Sequence, residues 1–83
     1  MLALFTRTTH LVAVLALSAA PALANKHVAD NLNAADGLFN MDMDGCSSVS
    51  IAITAYNNPD TFGRNTVSRS EVARYARRCN LRF

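Results

Sequence analysis

Apolar residues recur along the chain at the spacing of short amphipathic helices. Their intervals of three and four residues predict a first helix over 27–37, which Gly37 ends. Residues 48–57 fit both the alternation of a strand and the spacing of a helix. The helix is favoured, because a lone strand would find no partner elsewhere in the chain.

The clearest local signal introduces a third helix over 69–79. Ser68 to Glu71 form a capping box, in which the Ser68 hydroxyl accepts from the Glu71 amide and the Glu71 side chain reaches back. Behind this box, Val72, Tyr75 and Cys79 share one face of the predicted helix, and arginines share the opposite face.

Before these elements, residues 1–24 follow the pattern of a secretory signal peptide. A basic start without acidic residues leads into an apolar run and a closing A-x-A pattern, which predicts cleavage between Ala24 and Asn25. A membrane anchor is the alternative, but a span needs about 20 apolar residues. We therefore expect a secreted or periplasmic protein with one mature domain, residues 25–83, and no transmembrane span in it.

The two cysteines of the chain, Cys46 and Cys79, both lie in this mature part. In an exported small protein two cysteines most often pair, whereas two cysteines without a nearby histidine are poor zinc ligands. If the second and third helices run antiparallel, the two cysteines meet at the open end of the hairpin. The fold class predicted is mainly α: a small exported domain of two or three helices with one disulfide.

Charge is nearly balanced in the mature chain, which argues against a nucleic-acid partner and against a polycationic lytic peptide. Its distribution is uneven, because the arginines concentrate after Thr61. Four of them form a candidate surface for an unknown protein or an acidic envelope component: Arg74, Arg77, Arg78 and Arg82. A solvated helix face is the alternative, since no aromatic residue interleaves this face.

Two short stretches resemble the ends of an EF-hand calcium-binding loop. The matching residues are Asn40, Asp42, Asp44 and Gly45 in the first stretch and Val67, Ser68 and Glu71 in the second. In that family oxygen ligands alternate along the loop before a glycine, and a bidentate Glu closes it. The resemblance implies weak calcium binding by Asn40, Asp42, Asp44 and Glu71. An ordinary acidic turn and an ordinary helix start are the alternative.

The side chains suited to catalysis are few. His27 is the single mature histidine and has no evident Ser or Cys partner, and both cysteines are expected to be bonded. So short a chain also has too small a buried core to shift the pKa values of paired carboxyl groups for acid–base catalysis. The sequence therefore predicts a non-enzymatic interaction or accessory protein without a cofactor. A weak calcium-binding module and a cationic-helix protein that binds the envelope or membrane surface are the alternatives.

Overall fold

The computed structural model of the protein describes residues 23–83, so the predicted signal peptide lies outside the described residues except for Leu23 and Ala24. The chain forms four helices in this part: α1 Lys26–Asn40, α2 Cys46–Tyr56, α3 Pro59–Phe62 and α4 Arg69–Arg78. The prediction of a mainly α fold with one disulfide is confirmed. No helix within residues 23–83 is long and apolar enough to cross a bilayer.

The first helix continues beyond Gly37, where the sequence pattern placed its end, to Asn40. A glycine inside a helix costs about 1 kcal/mol relative to alanine. Here that cost is opposed by burial of Val28, Leu32 and Ala35 on the inner face of α1. Gly37 itself is exposed, so it acts as a weak helix former and not as a helix end.

Helices α1 and α4 end in the same way, each with a residue in the left-handed backbone region. These residues are Asp42 at φ 57° and Asn80 at φ 55°. The amides of the following residues, Met43 and Leu81, donate back to carbonyls of the last helical turn at 2.8 and 2.9 Å. This is the Schellman arrangement, in which Asp and Asn here occupy a position that glycine usually holds.

Helix α2 begins at Cys46, two residues before the predicted start. The Asp44 carboxylate accepts from the Cys46 amide at 2.9 Å, which satisfies an amide of the first turn. Gly45 precedes the helix at a point of close contact with α1, where an added Cβ would lie 2.7 Å from the Ala35 carbonyl oxygen. The helical alternative for this segment is therefore correct, and its start depends on contact with α1.

A single core lies between α1 and α2, and one face of α4 covers it. The buried apolar residues are Val28, Leu32 and Ala35 from α1, Val49, Ala52, Ile53 and Ala55 from α2, and Val72, Tyr75 and Ala76 from α4. Helix α2 packs mainly on α1, and more sparsely on α4. The predicted Cys46–Cys79 disulfide joins α2 to the end of α4, with the two Cα atoms 5.6 Å apart.

The connection between α2 and α4 contains a short helix that the sequence pattern did not predict. Helix α3 begins at Pro59, whose fixed φ suits the first helical position. Beyond it, Ser68 caps α4 as predicted, because its hydroxyl accepts from the Glu71 amide at 3.2 Å. The Glu71 carboxylate does not complete the box; it accepts from Arg74 instead. Helix α4 ends at Arg78, one residue before the predicted end.

Candidate functional site

The four arginines predicted as a partner surface are all exposed, on α4 and just beyond it. We call this set, Arg74, Arg77, Arg78 and Arg82, the arginine surface. The Ser68 cap starts α4 in the register that turns Val72, Tyr75 and Ala76 into the core, so the arginines of α4 face solvent. Local sequence therefore positions the arginines, and tertiary contacts determine which of them are held in place.

Arg78 is held by an aromatic ring from another helix. Its guanidinium carbon lies 3.8 Å from the centroid of the Phe39 ring, near the end of α1. A guanidinium stacked on a ring face keeps its edge N–H groups free for carboxylate or phosphate oxygens. The contact thus fixes the cation without consuming its donors.

Two further arginines also stack on rings. Arg69, at the start of α4, lies 4.3 Å from the Phe83 ring centroid, and Arg74 lies 4.8 Å from that of Tyr75. The expectation that no aromatic residue interleaves the arginine face is therefore wrong. Phe39 and Phe83 are distant from their arginines in sequence, so only the folded chain brings them together.

The remaining charges of the arginine surface differ in how they are neutralised. Arg74 donates to the Glu71 carboxylate at 3.0 Å, and this hydrogen bond and charge raise the pKa of Arg74. Arg77 and Arg82 have no acidic side chain within salt-bridge distance in the described part of the chain. The surface therefore presents two cations stacked on rings, Arg74 and Arg78, of which Arg74 is also paired with a carboxylate. Its other two cations, Arg77 and Arg82, have neither contact in the described part of the chain.

Beneath this surface, Tyr75 connects α4 to α1. The Tyr75 hydroxyl donates to Oδ2 of Asp36 at 2.6 Å, and the ring is only 6% exposed. The hydrogen bond to Asp36, burial and the negative charge of Asp36 raise the pKa of Tyr75 above its ordinary value. The neutral phenol is therefore the form that the fold stabilises.

This raised pKa predicts a loss of stability at alkaline pH. Because the folded pKa exceeds the unfolded one, the contribution of Tyr75 is fully present below pH ~10 and disappears as the pH rises through its folded pKa. In a Tyr56→Phe variant Tyr75 is the only tyrosine, so phenolate absorbance follows it alone. Adding Asp36→Asn should lower the titration midpoint. A midpoint that Asp36→Asn leaves unchanged would contradict the assignment.

The residues that resemble a calcium loop have other contacts in the fold. Asn40 is the last residue of α1, Asp42 forms its left-handed end, and Asp44 accepts from an amide of α2. Glu71 pairs with Arg74, two turns before Cys79. Glu71 is therefore about 12 Å along α4 from Cys79, whose disulfide partner Cys46 directly follows the first calcium-type stretch.

Within residues 23–83, no three His, Cys, Asp or Glu side chains are grouped so that they could hold a metal ion. Calcium binding therefore stays a prediction that rests on the sequence resemblance alone. The contacts of Asp42 and Asp44 account for both residues as the end of one helix and the start of the next.

Two shallow depressions of about 260 and 240 Å³ flank Leu23, away from the arginine surface. Phe62 lines both, and the His27 ring meets it edge to face with the centroids 5.0 Å apart. His27 is thus engaged in an aromatic contact at the rim of an open depression.

No family model, curated protein or solved structure matches the chain. The fold and the surface define a small helical protein with one disulfide and a cluster of exposed arginines supported by aromatic rings.

Proposed function

We propose that the protein is an exported, non-enzymatic binding module whose arginine surface contacts an acidic region of another protein. The observation that carries this proposal is the Arg78–Phe39 stack at 3.8 Å, beside the unpaired Arg77. An ordered guanidinium loses less side-chain entropy when it binds a carboxylate than a freely rotating one does. Arg77 and Arg82 would add attraction toward the same acidic region.

Exposed methionines favour a protein as the partner. Met41 and Met43 follow α1, two and four residues after Phe39, and they are 63% and 54% exposed. The Cys46–Cys79 disulfide draws the end of α4 to this same end of the molecule. Arginine, methionine and aromatic side chains are the types enriched at the centre of protein interfaces.

Export and the lack of catalysis are further parts of the proposal. The disulfide suits an oxidising compartment, in agreement with the signal-peptide pattern of residues 1–24. Both cysteines are consumed by that bond, and the His27 ring is packed against Phe62. Neither cysteine is therefore available as a thiol nucleophile, which supports the proposal that the protein has no cysteine-dependent catalysis.

A photo-crosslinking amino acid at Met41 tests the surface in the native host. We expect it to capture a protein, and we expect Arg77→Glu with Arg82→Glu to weaken capture about tenfold, which corresponds to about 1.4 kcal/mol. Neither arginine stacks on a ring in the described part of the chain, so the fold should survive.

Arg64→Glu is the control, because it reverses the charge of an exposed arginine outside the arginine surface. Capture should persist in that variant. The proposal is wrong if the double variant captures as well as the unmodified chain, or if Arg64→Glu weakens capture to the same extent. In the second case net charge, and not this surface, would explain binding.

A further inference from the structure

The segment Leu23–Asn25 is part of the folded domain, although the sequence pattern assigns its first two residues to the signal peptide. The Arg64 amide donates to the Leu23 carbonyl at 2.7 Å, and the Asn25 amide donates to the Arg64 carbonyl at 2.8 Å. Ala24 and Arg64 thereby form a parallel bridge. The Leu23 side chain is 83% exposed, so its backbone makes the contact.

The absence of a side chain at Gly63 allows the segment Leu23–Asn25 to pack against this part of the chain. An added Cβ there would collide with the Leu23 carbonyl oxygen and would lie 3.0 Å from the Ala24 carbonyl carbon. Its φ of 113° also lies in the region that L-amino acids with side chains rarely adopt. Glycine at position 63 therefore leaves the space in which the backbone of Leu23 and Ala24 packs against the chain after α3.

Cleavage directly before Asn25 would place a charge where the fold disfavours one. Asn25 is fully buried, and its side-chain amide donates to the Ala55 carbonyl at 2.9 Å and to Asn65 at 3.1 Å. A new α-ammonium at this residue would stand at the N-terminus of α1, where the helix dipole is also positive. It would also leave the Arg64 amide without its Leu23 acceptor.

We propose that the signal peptide is removed after Ala22, and that Leu23 is the first residue of the mature protein. This inference rests on the proposed export and moves the cut two residues from the position predicted by the sequence pattern. Ala20-Pro21-Ala22 offers a signal peptidase the same A-x-A pattern. Hydrolysis of the Ala22–Leu23 amide consumes one water and leaves a carboxylate on Ala22 and an ammonium on Leu23.

This cut keeps the contacts that the earlier paragraphs describe. The new ammonium lies two residues before the cap of α1, on an exposed residue, where water solvates it. Both backbone hydrogen bonds to Arg64 are retained, and the Asn25 amide remains an uncharged donor.

The test is the intact mass of the full chain after export from a bacterial host, measured without reduction. We expect the mass of residues 23–83 with one disulfide. A product of residues 25–83, or one that starts elsewhere, overturns the inference while export stands. A chain that stays unprocessed or is not exported overturns the export proposal as well.

Two substitutions separate the competing cuts, because a signal peptidase needs small residues at positions one and three before the bond. Ala24→Asp blocks a cut before Asn25 but not a cut before Leu23, so the product should still begin at Leu23. Ala20→Asp blocks only the proposed cut, so that product should disappear. Loss of processing in Ala24→Asp with normal processing in Ala20→Asp would reverse the conclusion.

Discussion

Reduction of the Cys46–Cys79 disulfide is expected to abolish cooperative unfolding of the mature domain, which would then be unfolded or molten. The bond closes a loop between residues separated by 33 positions. On the chain-entropy model such a bond contributes about 3.5–4 kcal/mol. Small domains have total stabilities of about 0.05–0.15 kcal/mol per residue, so this contribution is comparable with the whole.

The packing of α4 explains why the bond has so large an effect. Helix α4 contacts α2 only sparsely and adds three residues to the core, Val72, Tyr75 and Ala76. The Tyr75–Asp36 hydrogen bond and the Arg78–Phe39 stack also link it to α1. Without the disulfide, these contacts alone must offset the conformational entropy that is lost when α4 and the segment between α2 and α4 become ordered. We expect α4 to separate first and to expose the core face of α2.

Thermal unfolding followed by circular dichroism, with and without reductant, measures this effect. A Cys46→Ala, Cys79→Ala variant controls for the reductant and should behave like the reduced chain. If the reduced protein keeps the cooperative transition of the oxidised protein within a few degrees, the disulfide is not what stabilises the fold.

Gly45→Ala is expected to destabilise the protein by about 1–3 kcal/mol, the usual cost of overpacking a closely packed site. The new Cβ would lie 2.7 Å from the Ala35 carbonyl oxygen and 2.9 Å from the Ala35 Cα. Both atoms belong to the backbone of α1, so relief requires α1 and α2 to move apart along their shared core. A lowered midpoint of thermal unfolding, by roughly 4–8 °C per kcal/mol, would report it.

Gly37→Ala provides the matched control, because it is the same substitution within the same part of the fold. An added Cβ at Gly37 has no atom within 4 Å, and the residue lies inside α1. Alanine should therefore stabilise the protein by about 0.5–1 kcal/mol. Equal effects of the two substitutions would show that contact with Ala35 is not what requires glycine at position 45.

The elements predicted best are those whose signals lie within one or two turns of chain. Ser68 and Glu71 identify the start of α4 because the capping hydrogen bond joins residues three apart. The Cys46–Cys79 disulfide was predictable from the number of cysteines together with the predicted export. Helix α3 was missed because a four-residue helix has no amphipathic period, and Pro59 fits a turn as well as a first helical position.

Gly37 and Gly45 show where sequence reasoning fails. The sequence pattern predicts a helix end at Gly37 and places Gly45 in a loop that resembles a calcium-binding loop. Glycine has no side chain to carry a pattern, so its role depends on what surrounds its Cα. In the fold that surrounding is open space at Gly37 and the Ala35 backbone at Gly45.

The arginine surface was predictable as a set of residues but not as a structure. Helical spacing alone placed Arg74, Arg77 and Arg78 together. The ring beneath Arg78 belongs to Phe39 in a different helix, and no local pattern links the two positions. Which arginine is held and which is free was therefore accessible only from the fold.

The disulfide also divides the chain into a covalent ring, residues 46–79, and two tails, the longer of which carries α1. A protease that cuts once inside the ring adds a water molecule but releases no fragment, because the sulfur bridge still holds both pieces. A cut between α1 and Cys46 has a different result, since it frees α1 from everything but its packing. Resistance to nicking should therefore be uneven. Among the connections between the four helices of residues 23–83, the five residues from Met41 to Gly45 form the one at which a single cut detaches a helix.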